Sequence, residues 1–397
     1  MKIVSIVRVG RQVARNRLSG VLLLVVATLG FLVAPSGAAV KTTTTSVSVH
    51  QSVRTVSASS CTSQAQALVR AAKRPMSPNI PKTSFSMKGN AGKTVWWISP
   101  GQSIPFAASI SQGFAAAAKA AGVKAVIFDG QLSVVKWSQG VSEAVAAHAS
   151  GIVLQAINPA DLSGPLAAAK KAGIPVIDSF NGNPNSPLGS LYAHVTTNFN
   201  QQGKEMAAYE LALTKCKTQM GVFSESIYPI YAAMNGGIKS ELSKLCPTCS
   251  AQFIDVNGNT IATSEGQQLS TLLSRSPGTN ALIADADENA LYMVPVLKSA
   301  GKKIPLIGHD GIAASFNWIR QGTTSQVATV SDCPLPAIGW AQMDEIGRAM
   351  LKLPAANDTV PTQLVDKSNV GRSNAVGVMF PGFNNINAQY LKVWSVG

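Results

Sequence analysis

Three carboxylates, Asp285, Asp310 and Asp332, stand where strands of an alternating strand and helix pattern should end. Phe106, Trp97, Trp137, Phe180 and Tyr228 fall at or near other strand ends. An ionised carboxylate accepts hydrogen bonds from hydroxyls or amines about twice as strongly as a neutral acceptor does. Aromatic rings add flat apolar plates for C–H faces. Together they make the kind of pocket that holds a small polar molecule through a few placed polar groups in an apolar lining. Phe106 and Trp137 are the leading plates; Trp96 should face away from Trp97, because successive strand residues alternate faces. Each residue also has a plain structural role open to it. Aromatics are commonly core residues, Asp310 could serve a turn, and Asp287 and Asp161 precede helices, where Asp is a favoured N-cap. Arg is scarce at the pocket positions, which argues against an anionic ligand and for a polyol or a cationic small molecule.

The same inventory argues against catalysis. No GxSxG elbow, HExxH pair or GxxxxGKS/T loop occurs. Gly89-Asn90-Ala91-Gly92-Lys93-Thr94 looks like a phosphate loop only superficially, since it precedes a strand where such a loop should follow one. Without a nucleophile–base constellation the expectation is a binding protein, not an enzyme, with no cofactor. His50, His148, His194 and His309 show no ligand spacing, so no metal is expected. The net charge of +14 resides at one end. Residues 1–93 hold 13 Lys and Arg and no acid, leaving 20 basic against 19 acidic residues over 94–397. A neutral body lacks the basic stripe that nucleic acid requires, so nucleic acid is not an expected partner.

The basic excess begins in a leader. Lys2, Arg8, Arg11, Arg15 and Arg17 precede an apolar run over 18–34 and the small residues Ser36-Gly37-Ala38-Ala39, which predicts a cleaved signal peptide over 1–39, with a retained anchor as the alternative. Export would place the five cysteines where pairing is allowed. Cys246-Pro-Thr-Cys249 ends a helical stretch, whereas a redox-active pair starts one. A structural disulfide follows, either within this pair or from one of its members to Cys216. Residues 40–92 read as a flexible tether with a short helix near 65–73, broken by Pro75, Pro78 and Pro81.

From about residue 93, short apolar runs alternate with longer helical stretches, as in βαβ units with parallel sheets. One unit recurs: strand, Asn158-Pro159-Ala160-Asp161, helix, Ala172-Gly173-Ile174-Pro175-Val176-Ile177, and later strand, Asp285-Ala286-Asp287-Glu288, helix, Ala300-Gly301-Lys302-Lys303-Ile304-Pro305-Leu306-Ile307. Copies about 130 residues apart predict two similar Rossmann-like lobes facing each other across a cleft, where the carboxyl ends of parallel strands gather ligands.

Ser103-Ile104-Pro105-Phe106 with Gly113, Ala156-Ile157-Asn158-Pro159-Ala160-Asp161, Ala172 to Ile177, Asp287-Glu288, Ile307-Gly308-His309-Asp310-Gly311 and the segment from Val360-Pro361 to Asn369 occur in an order that resembles the type I periplasmic solute-binding proteins, in their ribose- and sugar-binding branch. The resemblance covers roughly residues 94–397. It implies an α/β fold of two lobes with the ligand in the inter-lobe cleft: 94–198 plus 333–366 as lobe 1, and 199–332 plus 367–397 as lobe 2. It also implies an exported monomer, in the periplasm or on the outer face of the cytoplasmic membrane, that passes a sugar or polyol to an ABC permease; service to a membrane receptor or kinase is the alternative. The resemblance puts Phe106 at an aromatic plate position, with Ala107 at the next. Asn181 stands where relatives carry a binding Arg, and Asn198 where a hinge-proximal Asp would lie. Asp310 matches a binding Asp; Ala286 replaces a binding Asn and leaves Asp285 beside it; Asp332, followed by Cys333, occupies the polar position on the return crossover. Hinges are expected near 197–200, 330–334 and 366–369.

Overall fold

The computed structural model describes residues 57–371 and 380–395; the expected signal peptide and most of the Thr- and Ser-rich stretch lie outside the described residues. Short runs rich in Val, Ile and aromatic residues fit a pleated surface better than a helix, and they form strands. Lobe 1 contains β1 (Thr94–Ser99), β2 (Lys124–Asp129), β3 (Gly151–Gln155), β4 (Val176–Ser179) and β5 (His194–Val195), in the order β2-β1-β3-β4-β5. Lobe 2 contains β6 (Gln219–Ser224), β7 (Ser250–Asp255), β8 (Ala281–Ala284), β9 (Leu306–Asp310), β10 (Gln326–Ser331) and β11 (Gln363–Asp366), in the order β11-β10-β9-β8-β6-β7. Every pairing within these sheets is parallel except that of β10 with β11.

The strand orders superimpose as β1 on β6, β2 on β7, β3 on β8 and β4 on β9. The repeated unit therefore occupies the same place in both sheets. Its helices are α4 (Ser163–Lys171) and α8 (Asp287–Ser299). The remaining crossovers are α2 (Pro105–Ala120) and α3 (Val134–Ala146) in lobe 1, with α6 (Pro229–Leu245), α7 (Ile261–Arg275) and α9 (Ala313–Gln321) in lobe 2.

Two further helices, α5 (Phe199–Leu213) and α10 (Leu335–Met350), follow crossings between lobes and pack on α6 and α2 respectively. Both contacts are helix against helix at glycine. A Cβ at Gly113 would lie 2.0 Å from the carbonyl oxygen of Pro336, and one at Gly339 would lie 2.1 Å from the amide of Phe114. Gly203 and Gly237 show the same relation in lobe 2, at 2.0 Å from the carbonyls of Met234 and Asn200. Any side chain there would force the backbones apart.

α10 is buried on nearly every side, because segments from both ends of the chain cover it. Here the structure differs from the expected tether. α1 (Ala58–Ala72) docks on α5 of lobe 2 and is joined to it by a disulfide between Cys61 and Cys216. The following stretch then lies on lobe 1: the amides of Phe85 and Met87 donate to the carbonyls of Val393 and Trp394, and Arg348 donates to the carbonyl of Thr83. α11 (Ile386–Val393) closes the same surface, with Trp394 stacked on Trp340 at 5.5 Å and donating to Asp344 at 2.7 Å. A Ser- and Thr-rich sequence looked like a linker because its few apolar residues, among them Cys61, Ala65, Val69 and Met87, gain their meaning only by burial against other segments.

The lobe boundaries shift as a result. β11 was expected in lobe 1 but pairs with β10 in lobe 2, and α11 was expected in lobe 2 but packs on α10 in lobe 1. The chain passes between lobes after β5, after β10 and before β11. The third passage is tied to the first where the amide of Val360 donates to the carbonyl of Thr196 at 2.8 Å. Of the alternatives left open for the CxxC motif, the structure has Cys246 joined to Cys249. Cys216 pairs instead with Cys61, a partner invisible from spacing because 155 residues separate the two.

The Cys61–Cys216 bridge closes a long loop, and losing such a native bridge typically costs about 2–5 kcal/mol. Cys61→Ser paired with Cys216→Ser is therefore expected to lower the melting temperature by several degrees in calorimetry; an unchanged transition would show that α1 contributes no constraint.

Candidate functional site

The carboxyl ends of both parallel sheets face one another, and a cavity of about 360 Å³ lies between them. From lobe 1 it is lined by the turn leading into α2 and by Leu132 and Ala156. From lobe 2 it is lined by the loops after β6, β7, β8 and β9. Pro105 opens α2 at a position where its missing N–H costs nothing. The next residue, Phe106, donates its free amide to Glu288 Oε1 at 3.0 Å across the cleft. An unpaired helix-terminal N–H thus meets a carboxylate, the charge that such an end favours, and this contact spans the two lobes.

Strained backbone marks the strand ends. Ala156 after β3, Phe180 after β4 and Asp310 at the end of β9 have φ of 46°, 60° and 95°. Each left-handed non-glycine residue costs of order 1–3 kcal/mol and persists only where its surroundings hold it. For Asp310 the holder is Asp287. Its buried carboxylate accepts from the amides of Gly311 at 3.0 Å and Ile312 at 3.1 Å, from Thr329 Oγ1 at 3.0 Å and from Gln326 Nε2 at 2.6 Å. Burial, reinforced by nearby Asp310, pushes the Asp287 carboxyl up to about 7 against the pull of those donors. Asp287 was expected to cap α8; it lies inside the first turn and ties α8 to β9 and β10 instead.

Phe106 and Asp310 line the cavity, as does Tyr228, and Ala286 contributes its small side chain. The other residues expected there do not. Trp137 is buried in the lobe 1 core, with its indole donating to the carbonyl of Pro100 at 3.0 Å, because it lies on the apolar face of α3 with Val141 and Ala144. Asn181 lies outside this cavity, in a separate depression with Asp178 and His194, its amide 3.4 Å from the carbonyl of Ser179. Asp285 is fully buried behind the lining: it accepts from the amide of Glu225 at 2.5 Å and from Asn289 Nδ2 at 3.1 Å, and so fastens β8 to β6. Asp332 is buried beneath the crossover and accepts from Gln202 Nε2 at 2.5 Å. Of the other aromatics, Trp97 is a core residue bound to Gln342 at 2.7 Å. Phe180 lies beneath Phe106, ring to ring at 5.3 Å.

His309 connects Asp332 to the site. Its Nδ1 lies 3.0 Å from Asp310 Oδ1 and its Nε2 3.0 Å from Asp332 Oδ2. Desolvation works against the imidazolium, but the two carboxylates outweigh it and hold the ring well above its ordinary pKa. The ligand atoms of these three residues lie within 4.8 Å of one another, close enough for a metal. Both carboxylates lie at ion-pair distance from the ring, so the three residues form a buried charged cluster.

Glu225, Glu288, Tyr231 and Tyr292 are among the lining residues that went unforeseen as ligand groups. Glu225 follows β6 directly, and the strand-end rule that selected Asp285 would have found it. Burial, with Asp310 and Asp255 adding repulsion, pushes its carboxyl up to about 7. Burial and Asp310 likewise hold Glu288 well above the usual carboxylate range. Among the described residues, the lining includes no Lys, Arg or His.

The fold and this cleft define the class: paired parallel α/β lobes that enclose a small molecule at facing strand ends. Residues 95–343 match the family model of the periplasmic binding protein domain, and the chain belongs to that family. The ribose import binding protein of Bacillus subtilis is 25% identical over 269 residues, covering 66% of this chain and 80% of the relative. Among solved structures, an ABC sugar transporter subunit from Rhodobacter sphaeroides shares the fold with a TM-score of 0.63 at 21% identity, over 70% of this chain and 99% of that one. An ABC transporter solute binding protein from Mycobacterium smegmatis, with bound glycerol, gives 0.63 at 20% identity, over 71% and 98%.

Behind the cleft, Glu265 is fully buried with neither carboxylate oxygen hydrogen-bonded, and burial, with Asp285 and Glu225, pushes it up to about 9. A folded-state pKa above the unfolded 4.5 means that its stabilising protonated form is lost as pH rises from 4.5 through 9. Glu265→Gln should therefore match the wild type near pH 4.5 and exceed it increasingly toward pH 8, by up to about 1.4 kcal/mol per pH unit. Denaturant titrations at both pH values measure the gap; a constant gap would refute the burial argument.

Proposed function

We propose that this protein is the exported solute-binding component of an ABC importer, capturing a sugar or polyol by closing its lobes and leaving it chemically unchanged. The observation that carries this reading is the inter-lobe cavity, spanned by the contact of Phe106 with Glu288 and equipped with carboxylates beside aromatic rings. Hydroxyls donate to Glu225, Glu288 and Asp310, while a ring face rests on Phe106. The names of the ribose-binding and glycerol-bound relatives support the same ligand class. Ligand contacts from both lobes favour the closed state, by the hinge mechanism common to such folds, and a membrane permease reads that state. Disulfides at Cys61–Cys216 and Cys246–Cys249 suit an oxidising compartment outside the cytoplasm, to which the basic and apolar leader would direct a monomeric product. Trp137, Asn181, Asp285 and Asp332 are not part of this proposed contact set, which consists of Phe106, Glu225, Glu288 and Asp310.

A ligand that binds only the folded state raises the melting temperature in proportion to RT ln(1 + [L]/Kd). Screening sugars, polyols and amino acids by thermal shift is expected to yield stabilisation from sugars or polyols; stabilisation by amino acids alone would exclude this ligand class. Asp310→Ala should then weaken the best ligand at least about tenfold, as expected when a charged hydrogen-bonding group is removed, in isothermal titration.

A further inference from the structure

Among the described residues, no positive group lines the cavity opposite its acidic wall. Glu225 is 7% exposed and borders the cavity, yet its carboxylate accepts no hydrogen bond from any described residue. Room for it is kept by Gly258, where a Cβ would stand 2.4 Å from Glu225 Oε2. Glu288 receives the single amide of Phe106, and Asp310 directs one oxygen to His309. That imidazolium is already divided between Asp310 and Asp332 and stands behind the lining. Further back, Asp285, Asp287 and Glu265 add only carboxyl groups.

A neutral polyol offers hydroxyl donors to these buried groups but leaves them to relieve their mutual repulsion by taking up protons, whereas a cation takes the place of that proton and restores the carboxylates. An ammonium has three donors and no acceptor, which matches three acceptors arriving on three different loops. Rings stand nearby: Tyr228 and Tyr231 are edge to face at 5.8 Å, and both border the cavity with Tyr292 and Phe106. Aromatic faces within about 6 Å of a desolvated cation add attraction that a neutral hydroxyl does not receive. Resting on the reading of the cleft as a sugar or polyol site, we infer that its ligand is an amine-bearing sugar or polyol, with the protonated amine held among Glu225, Glu288 and Asp310.

The test compares matched pairs on the purified protein with its disulfides intact: D-glucosamine with D-glucose, D-galactosamine with D-galactose, and N-methylglucamine with sorbitol. In isothermal titration at neutral pH, the amine of at least one pair is expected to bind at least about tenfold tighter than its hydroxyl counterpart, and to weaken with added salt. Glu225→Gln, checked for folding by circular dichroism, should remove most of that preference, and Glu288→Gln should do the same in an independent background. Equal or tighter binding of the hydroxyl members would overturn the amine and leave the sugar reading standing. Binding by neither member of any pair would overturn both. A preference that survives both substitutions would overturn the assignment of the ammonium to these carboxylates.

Discussion

The cleft depends on one buried carboxylate. Asp287 gathers the amides of Gly311 and Ile312 and the side chains of Thr329 and Gln326, and so fixes the turn after β9 to the start of α8 and to β10. That anchor acts together with the β9–β10 pairing, in which the amide of Asp332 donates to the carbonyl of Asp310 at 3.1 Å, to keep Asp310 at a φ of 95° beside the cavity. Position along the chain matters as well. Asp287 and Glu288 are neighbours, so the residue that builds the turn from behind also places the next carboxylate at the front, where it meets the amide of Phe106 from the other lobe. Structure and candidate recognition are joined across a single peptide bond.

Around this centre the lobes repeat one design with unequal chemistry. Each has a parallel sheet with its strands in the same order and a pair of helices meeting at glycine, α2 with α10 and α5 with α6. The side chains at the facing strand ends differ. Lobe 1 contributes mostly apolar surface, chiefly Phe106, Leu132 and Ala156, whereas lobe 2 contributes Glu225, Glu288 and Asp310 together with Tyr228, Tyr231 and Tyr292. All the carboxylates of the lining among the described residues therefore come from one lobe. Below the crossovers, Phe106, Phe180, Phe199 and His309 form a ladder of edge-to-face rings from one lobe to the other. Close packing of this kind resists continuous deformation and suits a hinge with discrete arrangements.

The segment preceding β1 changes the picture of the hinge. α1 is bridged to lobe 2, while residues 85–87 are bonded to the end of α11 on lobe 1. This connection runs in addition to the crossings after β5, after β10 and before β11.

The sequence by itself determined the two parallel α/β lobes, the repeated βαβ unit and its placement at equivalent positions, because apolar period and turn residues are local signals that tertiary packing had no reason to override. It also pointed to Phe106 and Asp310, each at the end of a strongly patterned element. What it could not determine was direction and partnership. Asp285, Asp310 and Asp332 read alike as strand-end carboxylates, yet only Asp310 faces the cavity; a side chain's direction at a strand end depends on the left-handed backbone there and on which buried donors claim the neighbours. Trp137 turned inward for a related reason, since it shares the buried apolar face of α3 with Val141 and Ala144. Cys61 and Cys216, α1 on α5, and β11 against β10 are all contacts between segments far apart in the chain, and no local pattern encodes the meeting of distant segments. Only the tertiary structure brought Glu225, Glu288 and Asp310 from three separate loops to one wall, because their mutual repulsion is tolerated only where the surrounding packing compels it.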